Sequence, residues 1–158
     1  MPAGLFLCLA SVTWGDAGFF TPFYRIAGVL DRAAYDISLE QAALGSRFWL
    51  EPQTVLPGVC VHLALAGFFG MLFVLLTREG RVVPPGGLVA AGLLWGLLVA
   101  VVMLPVLALV GRKVGGGALI ADAPSQMGWP TYVALHVVYG IALGAIVAAR
   151  AARRRARA

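Results

Sequence analysis

Four stretches of the chain are apolar almost without a break, and the polar residues gather between them. The apolar stretches cover about residues 3–27, 57–77, 88–110 and 130–150. Continuous runs of about twenty apolar residues match the thickness of a bilayer rather than the amphipathic period of a water-facing helix. The connections are unlike them. Residues 31–56 mix Asp31, Arg32, Asp36, Glu40, Arg47 and Glu51 with Tyr35, Phe48 and Trp49, while 111–129 holds Arg112, Lys113 and three successive glycines. The pattern predicts one membrane domain, 1–158: an all-α transmembrane four-helix bundle with outer loops at 31–56 and 111–129.

The segments differ in regularity. In the first, Trp14-Gly15-Asp16 interrupts the apolar run and Thr21-Pro22 follows, so a kink is expected there. That segment begins almost at Met1 without a flanking charge, so its helix is short or its true start lies upstream. Pro57 suits the first turn of the second helix, and Pro84-Pro85-Gly86-Gly87 makes a tight link to the third. Trp129-Pro130 opens the fourth, with the indole at headgroup level. The 31–56 connection reads equally as a short helix on the membrane surface or as an ordered loop with an aromatic lip.

Composition agrees with a lipid environment. The 158 residues are 61% hydrophobic and 12% charged, against about 25% charged in a soluble domain. The net charge of +5 is concentrated, because Arg150, Arg153, Arg154, Arg155 and Arg157 close the chain. A basic tail directly after a span anchors it at the cytoplasmic face, so nucleic acid is not an expected partner. With Arg78 and Arg81 on the same side, the arginine balance predicts both termini in the cytoplasm of a bacterium, the protein being multi-pass in the inner membrane. The two cysteines, Cys8 and Cys60, lie in apolar segments and fit no zinc or redox spacing. The N-terminus lacks the basic region of a cleaved signal peptide.

The second and fourth segments look alike. An offset of 74 residues superposes His62 on His136 and Gly70 on Gly144. Trp14-Gly15 answers Trp95-Gly96 less regularly. Two tandem helical hairpins related by a pseudo-twofold axis along the membrane normal would give this pattern. Each histidine then heads a stripe of small residues four apart, with Ala66 and Gly70 below His62 and Gly140 and Gly144 below His136. Such stripes let helices pack closely.

Ionisable groups inside a membrane are costly and face the protein interior or a wet cavity. If the first segment is one helix, Asp16 lies near the depth of His62 and His136, and Tyr139 and Tyr132 stand within a turn of His136. Three readings follow. The polar cluster Asp16, His62, His136 and Tyr139 ties the bundle together by hydrogen bonds, or it lines a path for a small solute or proton. Alternatively His62 and His136 ligate one b-type haem in an electron-transfer subunit. No resident cofactor or metal is expected outside the haem alternative. No nucleophile triad, P-loop, dinucleotide fingerprint or HExxH occurs, so a non-enzymatic role is favoured: an accessory subunit, a homo-oligomer or part of a larger complex, with lipid as its constant partner.

The stretches GFFTPFYRIAGVL, VHLALAGFFGMLF and LHVVYGIALGAIVAA resemble a loose group of small bacterial integral membrane proteins of undefined activity. The resemblance implies four spans and a bacterial membrane, and it assigns no functional residue.

Overall fold

A computed structural model describes residues 2–29, 32–77, 83–113 and 118–157. The described chain is helical, with no strand among these residues. Arg78 and Arg81, Asp31 and the glycine run 115–117 lie outside the described residues. Three helices are long and apolar enough to cross a membrane: α4 (Pro52–Thr77), α5 (Pro85–Lys113) and α8 (Trp129–Arg155). At 1.5 Å per residue even α4, with 26 residues, reaches about 39 Å.

The first segment departs from the expected single span. It is two helices, α1 (Pro2–Thr13) and α2 (Thr21–Ala27), joined by a turn. The 12 residues of α1 reach only about 18 Å. Its end is set by side chains that bind backbone: the Thr13 hydroxyl donates to the Leu9 carbonyl, and the Ser11 hydroxyl donates to the Gly18 carbonyl across the turn. Pro22 is therefore not a kink. It sits at the start of α2, where a missing N–H costs nothing.

The 31–56 connection contains α3 (Arg32–Ala43), which buries Ala34, Tyr35, Ser38 and Ala42. The second span starts earlier than expected, so Pro57 lies inside α4 rather than in its first turn. Two short turns, α6 (Ala118–Ala121) and α7 (Ala123–Gln126), precede α8.

Two buried clusters close the bundle at opposite ends. At one end Tyr24, Ala34, Tyr35 and Val55 join α2, α3 and the start of α4. There Tyr24 is 0% exposed, stacks on Trp49 at 5.2 Å, and its hydroxyl accepts from the Glu51 N–H at 2.7 Å. At the other end Phe73, Leu88, Val147 and Ala151 join α4, α5 and α8.

The most extensive packing among the described residues is between α5 and α8, which run antiparallel with backbones in contact. A Cβ built on Gly92 would strike the Gly140 carbonyl, and one on Gly140 would strike the Gly92 carbonyl. The same holds between Gly96 and the His136 carbonyl, and between Gly144 and the Leu88 carbonyl. One step further along, the Tyr132 hydroxyl donates to the Ala100 carbonyl at 2.7 Å. Each step of four on α5 meets a step of four back on α8, a small-xxx-small seam on both partners.

By contrast α4 is loosely held. Only 6% of its most apolar stretch is buried, against 17% and 22% for α5 and α8. Large side chains such as Leu63, Phe68, Leu75 and Leu76 stay exposed around it, as lipid-facing residues must.

The matched features of the sequence do not occupy matched places. Gly144 packs on backbone, whereas a Cβ on Gly70 would meet only the Tyr139 hydroxyl at 3.4 Å and Leu143 at 3.7 Å. Trp14 follows α1 and donates its indole N–H to Thr131 at 3.1 Å. Trp95 lies within α5 against Phe73. Of the expected packing stripe, Gly140 and Gly144 make a close helix contact, and the partner is α5. Ala66 and Gly70 meet α8 through the Tyr139 side chain instead.

Candidate functional site

α4 touches its neighbours near both ends and stands off between them. Toward its start Gly58 lies on the Phe23 carbonyl of α2. Toward its end Phe73 meets Trp95. Between these contacts lies a cavity of about 210 Å³, walled by α1, α2, α4, α5 and α8 together with the short α6 and α7. Val61 and Leu65 line it and remain 44% and 41% exposed, so it opens at the side of the bundle along α4. Its walls are mostly aliphatic, with Leu7, Ile26, Val99 and Leu107 among them.

The polar groups in this cavity are few. His62, His136 and Tyr139 of the expected cluster all line it. Tyr139 crosses from α8 to α4 and donates to the Ala66 carbonyl at 2.7 Å. His136 Nδ1 lies 2.8 Å from the carbonyl of Tyr132 on its own helix. A carbonyl can only accept, so Nδ1 carries the hydrogen and the neutral ring keeps its lone pair on Nε2. His62 meets the Phe23 ring edge-on at 5.7 Å, and a Cβ on Gly4 would lie 3.3 Å from its Nε2.

Asp16 does not belong to the cluster. It is exposed in the turn between α1 and α2, with a φ of 44°. The depth reckoning assumed an unbroken helix. Once the helix ends at Thr13, the carboxylate escapes the cost of lipid burial.

Arg25 takes the place that Asp16 was expected to fill. As a basic residue next to Tyr24 it reads in the sequence as an interfacial charge reaching for water. Instead it lines the 210 Å³ cavity and also a neighbouring void of about 40 Å³ that Trp14, Ser11 and Gln126 share. Its Nη2 donates to the Tyr35 hydroxyl at 3.0 Å, and the guanidinium lies 5.4 Å from the centre of that ring. Its Nε is buried with no hydrogen-bond partner. The signal available was weak: one arginine in an apolar context, with no local cue to the direction it turns.

Comparison with protein-family models, curated proteins and solved structures gave no match. The residues themselves carry the functional reading.

The histidines do not suit a shared haem. His62 directs Nε2 toward the backbone of α1, and Tyr139 ties α8 to α4 one turn from His136. A void of about 150 Å³ holds one benzene ring, so a space of about 210 Å³ does not admit a macrocycle of four rings. The detergent-purified protein is therefore expected to be colourless even after incubation with haemin. A Soret band abolished by His62→Ala would overturn this.

Proposed function

We propose that this chain is a non-enzymatic integral protein of a bacterial cytoplasmic membrane that holds a small lipid-phase molecule in the cavity beside α4. The observation that carries the reading is the cavity itself: it lies between two packed clusters, opens at the side along α4, and is apolar apart from a few directed polar groups. Sites that take small molecules are largely apolar, with a few polar groups that fix orientation. A through-path for solute or protons finds less support. The half of the bundle beyond the cavity is filled by the Phe73, Leu88, Val147 and Ala151 cluster and by the glycine seam. In this reading α1 and α2 form the fourth side of a four-span bundle, and both termini face the cytoplasm with the arginine-rich tail.

A direct test is native mass spectrometry of the detergent-purified chain titrated with dodecanol, a plain membrane-soluble chain. The wild type is expected to retain one molecule. Ala66→Phe, which fills the cavity from α4, is expected to lose it, while Leu75→Phe on the lipid-facing surface (63% exposed) keeps it. Equal retention by all three proteins, or none by the wild type, would refute the reading.

A further inference from the structure

The geometry points to a single-chain carboxylic acid as the occupant, with its carboxylate on Arg25 and its chain leaving past Val61 and Leu65. This rests on the proposed lipid-phase site and adds the chemistry of the ligand's head. Arg25 stands at the junction of the 210 Å³ cavity and the 40 Å³ void, the one charged group among the described residues that line either.

Among the described residues no neighbour neutralises it. Tyr35 supplies a hydroxyl oxygen and a ring face, and the only ion pair among the described residues is Arg32 with Asp36 on the surface of α3. A fixed positive charge among aliphatic walls, with a buried Nε–H left unpaired, is unfavourable until an anion arrives. One guanidinium matches one carboxylate in charge, and its planar fork suits two parallel hydrogen bonds. Elsewhere in the described lining of the larger cavity the Tyr132 and Tyr139 hydroxyls and the His136 Nδ1–H are already given to carbonyls, so the wall has little to offer a second anionic or polar group and the ligand's body must be apolar.

Size gives the last constraint. A space somewhat larger than one that takes benzene admits the head and first carbons of a chain, not a whole two-chain lipid. The side opening lets the remainder lie along α4 in the membrane.

Dodecanoic acid and dodecanol differ only in the head, so their affinities for the full chain in neutral detergent at pH 8 test the assignment. The acid is expected to bind about tenfold to a hundredfold more tightly than the alcohol, the range for a charge-assisted hydrogen bond. Arg25→Gln should erase that preference while leaving alcohol binding in place, and Arg25→Lys should keep part of it. Sodium acetate in large excess should not displace the acid, because the chain and not the head alone holds it. Equal affinity of the wild type for acid and alcohol would overturn the carboxylate assignment and leave the lipid-phase site standing. Displacement by acetate would also overturn it, making the subsite one for free anions. Binding of neither probe would remove both proposals. The acid–alcohol comparison needs only the wild type, so it decides the matter even if the Arg25 variants do not fold.

Discussion

Gly140→Val is expected to unfold the bundle at a temperature where the wild type is intact, at a cost of at least about 3 kcal/mol. The reason is geometric. The first added carbon would overlap the Gly92 carbonyl, and the Gly96 Cα would be 2.9 Å away. Backbone cannot swing aside as a side chain can, so α5 and α8 must separate. Separation at one point loosens the neighbouring contacts at Gly96 and Gly144 as well. Gly67→Ala is the internal control. It also lies in the middle of a spanning helix, but a Cβ there meets nothing within 4 Å. That substitution is expected to be neutral or to stabilise by up to about 1 kcal/mol through helix propensity. Thermal unfolding in detergent, followed by size-exclusion chromatography, distinguishes the pair. If both variants behave alike, the α5–α8 seam is not where the bundle's cohesion lies.

Tyr24→Ala is expected to produce the second large effect, about 3–5 kcal/mol by analogy with other buried aromatic truncations. It should act at one end only. Tyr24 fills the cluster that joins α2, α3 and the start of α4, and its hydroxyl is the acceptor for the Glu51 N–H. Removing it empties that cluster and leaves an N–H unpaired. Hydrogen exchange should accelerate across α2 and α3 while the α5–α8 pair keeps its protection. Tyr24→Phe, which preserves the stack on Trp49, should cost only about 1 kcal/mol. Uniform acceleration along the chain would show instead that the two ends unfold as one unit.

These two sites differ in how far the sequence announces them. Gly140 and Gly144 stand in a visible stripe, but the stripe does not say which helix it meets. The partner, Gly92 and Gly96, has the same spacing on α5, and nothing local in the sequence pairs the two stripes. Tyr24 looks like an interfacial aromatic until α3 is seen to cover it. The histidines and Tyr139 were legible as a group because polar side chains are conspicuous among apolar ones. Arg25 and Asp16 exchanged roles. A turn after Thr13 leaves Asp16 exposed and brings α2 back with Arg25 on the cavity, and no hydropathy window detects a turn made by hydroxyl groups that bind backbone.

Hydropathy is a local property, so the amino-acid sequence alone determined that the chain is helical, that three of its helices are long and apolar enough to cross a membrane, and where α4, α5 and α8 run apart from about a turn at their ends. Which face of each helix meets which neighbour was decided only in three dimensions. A helix that is apolar on every side carries no stripe to orient it, since lipid and protein interior are equally oily. Orientation then falls to the fit of backbone against backbone at the glycines and to the few polar groups that must find partners. Those two conditions left α4 apart from its neighbours over its middle and turned Arg25 into the space behind it.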